Sequence, residues 1–212
     1  MARYTDAVCR LCRRQGEKLF LKGTKCTTEK CPANKRAYAP GQHGQGGKGR
    51  RQKVSNYGLQ LREKQKVKRI YGVLEKQFRR YFETASKTKG VTGKVLLQLL
   101  ERRLDNVVFR MGIGISRSQA RQIVRHNFIF VNSRRVNIPS FLVDKDDLVQ
   151  VKAKEKALNK IKDNLELSKE RTVPSWLEFK PVDFSAKVLR LPEKDDIQQT
   201  IQEQLIVELY SK

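Results

Sequence analysis

Between Leu59 and Phe82, apolar side chains recur at intervals of three and four: Val67, Tyr71, Leu74, Phe78 and Tyr81, with Ile70 and Phe82 beside them. That period predicts one helical face, with Gly72 marking a break or a close approach. Leu97, Leu100, Leu104, Val107 and Val108 predict a second helix over 94–110. Ser116 stands where an N-cap belongs for a third, whose inward strip is Ala120, Ile123 and Val124. The period then shortens: "FIFVNSRRVNIPS" holds two β-rich runs about a turn at Asn132 and Ser133, a hairpin ended by Pro139. "DLVQVKA" alternates as a strand does, and Ile197, Ile201, Leu205 and Leu209, four apart, predict a last helix packing back on the body.

From Pro40 through Gly58 there are six glycines and no acid, which predicts a loop for most of that length. The organisation expected is α+β. A cysteine-rich metal-binding arm occupies 1–45, and a basic helical domain occupies 46–93, joined by the C-terminal helix over 195–212. A third part, with a helix pair and a small antiparallel sheet, fills 94–194.

Charge changes this picture from a fold to a function. The 212 residues carry 46 Lys and Arg against 22 Asp and Glu, a formal net charge of +24. The excess is graded: +17 over 1–80, +8 over 81–140 and −1 over 141–212. Such a polarity repels itself unless an anion is bound, and nucleic acid is the first candidate. No run of eighteen apolar residues occurs and "MARYTDAVCR" lacks a secretory apolar block, so a cytoplasmic protein with no membrane partner is expected.

All four cysteines fall within "VCRLCRRQGEKLFLKGTKCTTEKCP", as Cys9-x2-Cys12 and Cys26-x4-Cys31. Two short chelates across a loop suit a tetrahedral ion, and so short an apolar-poor segment needs one to offset its ordering entropy. Zinc is favoured on base rates, with an iron–sulfur cluster as the alternative. Arg10, Arg13, Arg14, Lys25 and Lys30 are expected to lower the thiol pKa values.

Candidate RNA contacts follow from where cations cluster. Arg3, Arg13 and Arg14 lie in the arm. Lys48, Arg50, Arg51 and Lys53 lie in the glycine loop, where a close-approaching backbone suits a phosphate chain. Arg62, Lys64, Lys66, Lys68 and Arg69 alternate with the apolar face of the first helix. Arg102 and Arg103 sit in the second. Arg117, Arg121 and Arg125, at one-turn spacing with no acid nearby in sequence, are expected to form an unpaired row suited to phosphates. His126 closes that helix, and Arg134 and Arg135 sit at the hairpin. No nucleophile paired with a base, phosphate-binding glycine loop or carboxylate pair in an apolar setting occurs, so no catalysis and no small-molecule substrate are expected.

"RLDNVVFRMGIGISRSQARQIVRHNFIFVNSRRVNIPS", with "MARY", "YAPGQHG", "YGLQLREKQKVKRIYGVLEKQF" and "LIVELYSK", resembles the S-four family of small-subunit ribosomal proteins across nearly the whole chain. The resemblance implies a protein that binds small-subunit rRNA early at a helical junction, so that later proteins can add. It places Lys48, Arg50 and Arg51 near the path by which mRNA enters, and ribosomal protein S-five as a neighbour. Three departures fall at turns: Asn127 and Ser133 where relatives carry glycine, and "DKDDL" where a Pro-Gly turn is common.

Overall fold

The computed structural model describes residues 3–42, 44, 54–168, 171–197 and 200–211. The chain divides into two compact units, Met1–Lys87 with Thr200–Lys212, and Thr88–Gln199.

The first unit holds α1 (Cys9–Gln15), a 3-10 turn (Gly23–Cys26), α2 (Pro32–Lys35), α3 (Asn56–Ile70), α4 (Glu75–Lys87) and α9 (Glu203–Tyr210). The helix read from periodicity is two helices. Gly72 takes φ 63, and Val73 N–H donates to the Lys68 carbonyl (3.0 Å) while Gly72 N–H donates to that of Arg69 (3.3 Å). This left-handed cap satisfies the last carbonyls of α3 and turns the chain into α4. Its start, by contrast, lies earlier than the glycine loop suggested, because Ser55 Oγ accepts from Gly58 N–H and caps α3 there. Val67, Ile70, Tyr71, Phe78 and Tyr81 are buried as the period required, but Leu74, in the turn, is exposed.

The final helix is shorter than its spacing implied. It begins only at Glu203, and the residue buried deepest is Ile206 rather than Leu205 or Leu209. It is fastened to α3 and α4 by Gln60 Nε2 donating to Glu208 (2.8 Å) and by Tyr210 stacked 4.5 Å from Phe82. The cysteine-rich arm lies along α3: Gln15 Nε2 donates to the Arg62 carbonyl (2.8 Å) and Glu17 pairs with Lys66 (2.9 Å).

In the second unit, α5 (Thr92–Glu101), α6 (Leu104–Arg110) and α7 (Arg117–Arg125) lead into β1 (Ile129–Val131), β2 (Arg134–Arg135) and β3 (Leu148–Val151). Then follow α8 (Glu155–Leu167), β4 (Leu177–Lys180) and β5 (Ser185–Val188). The strands form one antiparallel sheet in the order β2-β1-β3-β5-β4, larger than the hairpin and strand legible in sequence. One of its faces, with Ile129, Val131, Val149, Ala186 and Val188, packs with α6, α7 and Trp176 into the core.

The helix expected over 94–110 is also broken. Arg103 is extended and bridges Leu142, with Leu104 N–H donating to the Phe141 carbonyl (2.8 Å) and Val143 N–H to that of Arg102 (3.0 Å). A distant extended segment thus competes successfully with local helix propensity. Gly114 allows a second close approach: a Cβ there would stand 2.8 Å from the Ala120 backbone nitrogen, on the first turns of α7.

Each of the three turns that depart from the family's residues holds a non-glycine residue in the left-handed region. Asn127 takes φ 64 after α7, and Asn132 and Ser133 take φ 47 and 68, so both central hairpin residues are left-handed as a type I′ turn requires. In "DKDDL", Asp146 adopts φ 68 and Asp147 Oδ2 accepts from Asp144 N–H (2.7 Å). The Asp147 side chain thus reinforces the backbone closure, in which Asp147 N–H donates to the Asp144 carbonyl (3.3 Å).

Candidate nucleic-acid interface

The arm folds its four cysteines together as unbonded thiols, with Cys12, Cys26 and Cys31 buried and Cys9 half-buried. Burial pushes the Cys12 and Cys26 thiols up; backbone N–H groups of Leu19 and Lys22 act against this, and the neighbouring thiols push further up. The expectation that arm cations would lower these values is therefore corrected. Arg10, Arg14, Lys25 and Lys30 are exposed, and Arg13 is engaged elsewhere, its Nε donating to the Tyr38 carbonyl (3.0 Å) with its guanidinium 4.8 Å from the Tyr38 ring centre. Among the described residues, no three His, Cys, Asp or Glu side chains stand at the spacing of an ion's ligands. The donor set is nevertheless one that a thiophilic ion takes: four thiols, of which Cys12 and Cys26 each feel the charge of the others, with Cys26 Sγ accepting Lys22 N–H at 3.3 Å, a bond that also stabilises a coordinated thiolate.

The cationic face of α3 is partly neutralised from within. Lys64 and Lys68 both pair with Glu75 (2.8 and 3.0 Å), and Lys66 pairs with Glu17. Glu75 and Glu17 come from α4 and the arm, while Glu63, on α3 itself, stands 3.7 Å from Lys66 and is legible in the sequence. Tyr210 also donates to Glu75 (2.9 Å); burial pushes that carboxyl up, but the three donors outweigh it and hold its pKa at about 2. Arg3, Arg14 and Arg62 are exposed, and Arg69 is half-buried, its pKa lowered first by burial and then, Tyr4 opposing, by the like charge of Arg14. His43, Lys48, Arg50, Arg51 and Lys53 lie outside the described residues.

In the second unit the arginine row is corrected more sharply. Arg121 is 7% exposed and donates to Asp105 (3.0 Å), and the fully buried Arg103 grips the same carboxylate with two nitrogens (3.0 and 2.6 Å). Arg117 donates to Asn106 Oδ1 (2.9 Å) and lies 4.4 Å from the Phe109 ring centre. Arg102 is held by the Val143 carbonyl (2.8 Å) and Asp144. Arg103, Arg117 and Arg121 fasten α6 and α7, Arg102 ties the end of α5 to the segment at Val143 and Asp144, and Arg110 on buried Glu101 (2.8 Å) ties α6 to α5. Asp105 and Glu101 stand on α6 and α5, and burial of both partners makes their pairs structural, whereas Asp144 lies between β2 and β3 and is 73% exposed.

Of the row only Arg125 faces solvent, joined by exposed His126, Arg134 and Arg135. Sequence reasoning passed over Lys152, which the sheet brings to the same place: its Nζ lies 5.2 Å from the Phe130 ring centre, with the Arg135 guanidinium 5.6 Å from that ring. Among the described residues none of Arg125, Arg134, Arg135 and Lys152 has a carboxylate within ion-pairing distance. The alternation of "DLVQVKA" was the available signal for Lys152, but its strand partner was not. Acid-free, solvent-facing cations around an aromatic ring can take phosphates and stack on bases.

Comparison with known families places this surface in context. Residues 3–101 match the family described as ribosomal protein S4/S9 N-terminal domain, and residues 102–149 match the S4 domain. The boundary falls at the break between α5 and α6. Over their full lengths, the chain is 58% identical to the small ribosomal subunit protein uS4 of Pelotomaculum thermopropionicum, 59% to that of Acetivibrio thermocellus and 57% to that of Thermodesulfovibrio yellowstonii.

Proposed function

The chain belongs to the S4 family of small-subunit ribosomal proteins, and from that premise we propose that it binds a folded junction of small-subunit rRNA early and nucleates assembly. It is a structural, rRNA-binding ribosomal protein rather than an enzyme, and its place is the small ribosomal subunit in the cytoplasm. The observation that carries the physical part is the set of exposed cations in the second unit with no carboxylate beside them. Affinity then comes from phosphate neutralisation and selectivity from RNA shape, since side chains cannot enter the deep groove of an A-form helix to read bases.

Filter binding across a salt series tests this. A folded rRNA junction should bind more tightly than random duplex DNA, and log affinity should fall steeply with log salt. Equal affinity for both would overturn the reading.

The four cysteines would hold zinc, with an iron–sulfur cluster as the alternative, and the ion would fix the arm against α3. The support is the thiol donor set and its N–H donors. Elemental analysis with an absorption spectrum separates the two metals. Loss of arm structure on chelation is expected, because binding and folding of such a segment are linked. A position beside the path of incoming mRNA, with a part in accuracy, and a contact with ribosomal protein S-five rest on the family resemblance at Lys48, Arg50 and Arg51. Crosslinking from those positions in assembled subunits tests them.

A further inference from the structure

The outer face of the sheet carries an aromatic side chain with no role in the core. Ile129 and Val131 point inward and are buried, so the strand period turns Phe130, between them, to the opposite face. There its cross-strand partners are Arg135 on β2 and Gln150 on β3, both polar. Two residues beyond Gln150 on that same face, Lys152 reaches back over the ring. A half-exposed phenylalanine ringed by Arg, Gln and Lys gains little from packing. Its exposed π surface, flanked by two cations, is suited instead to a flat, anion-bearing partner.

We propose that this face of β1, β2 and β3 seats an unpaired RNA nucleotide, with its base on the Phe130 ring and the adjoining phosphates on Arg135 and Lys152. Both cations are on flexible stems and hold the ring only through cation–π contacts in solvent. Exchanging those contacts for a base stack and two phosphate pairs is favourable. Duplex RNA fits less well, because its bases are already stacked and it would use the cations alone. An acidic peptide would likewise leave the ring without a partner. The inference rests on the RNA-binding reading but gives this face a part of its own, since the junction is gripped through shape and phosphates whereas this site takes a single exposed base.

The test uses the whole chain with three probes: a labelled oligouridylate of about six nucleotides, matched to a short single-strand site, an RNA duplex of equal charge, and the rRNA junction fragment. Phe130→Leu should weaken oligouridylate binding about tenfold and leave duplex binding unchanged. Lys152→Gln should weaken both. Ultraviolet crosslinking of wild-type protein to the oligouridylate should map to Phe130, which holds the proposal falsifiable even if the leucine variant fails to fold. Unchanged oligouridylate affinity in Phe130→Leu, equal loss for strand and duplex, or crosslinks solely elsewhere would each overturn it. If wild-type protein shows no preference for the junction over duplex, the assembly reading fails, while the oligouridylate result still decides this site.

Discussion

Asp105→Asn is the sharpest single test of how the second unit is held. Asp105 is 4% exposed and accepts from Arg103 through both oxygens and from Arg121 through Oδ2. The amide removes the charge without changing the volume, and turns an NH2 donor toward a guanidinium donor. Two buried cations then lose the carboxylate they share. Breaking one buried pair costs about 3–5 kcal/mol. Against a domain stability of about 5–15 kcal/mol, a loss of about 4 kcal/mol removes a large share. For a unit of this size it should lower the melting temperature by roughly 15 °C.

The single tryptophan, Trp176, is fully buried in the same unit, so denaturant unfolding followed by its fluorescence reads the loss directly. Glu83→Gln serves as a control, because the Arg79–Glu83 pair is 70% and 57% exposed and its loss should cost under about 1 kcal/mol. If Asp105→Asn cost no more than that control, the two arginines would have to be solvated or paired otherwise, and the reasoning that removes them from the RNA-facing set would be refuted.

Other consequences are smaller but equally specific. The Glu75 pKa is depressed from 4.5 to about 2, so its contribution to stability is present above about pH 4.5 and is lost as pH falls toward 2. Thermal melts over that window should flatten in Glu75→Gln; an unchanged slope would show that the Lys64, Lys68 and Tyr210 contacts do not form in solution. Ser133→Gly should stabilise the second unit by roughly 0.5–1 kcal/mol, because Ser133 holds φ 68 where glycine is unstrained, and a loss of stability in the same fluorescence assay would contradict the type I′ turn. Trp176 Nε1 is buried without a hydrogen-bond partner among the described residues. Trp176→Phe should therefore cost less than the roughly 3–5 kcal/mol expected for Trp176→Ala, with calorimetry to compare the two, since the smaller ring discards an unsatisfied donor along with some packing.

Much of the local structure was legible in sequence because it depends on short-range chemistry. The Ser116 cap, the inward strip Ala120, Ile123 and Val124, the Asn132–Ser133 turn and the left-handed Asn127 each require only a few neighbouring residues. The charge gradient and the clustering of cysteines are likewise properties of the chain itself. What misled was reading a cation's availability from its sequence neighbours. Lys68 and Arg121 have no acid within four residues along the chain but are claimed by Glu75 and Asp105 once the helices pack.

The sequence by itself determined that the protein is cationic toward its front, where its helical faces lie and how its hairpin turns, since periodicity, capping and net charge are summed residue by residue. Only the tertiary structure decided which of those cations remain available. It broke a helix at Arg103 to pair a distant segment, drew acids from other elements onto lysines and arginines, and set Lys152 and Arg135 beside Phe130. Coulombic pairing depends on separation in space, and a folded chain sets that separation with little regard to distance along it.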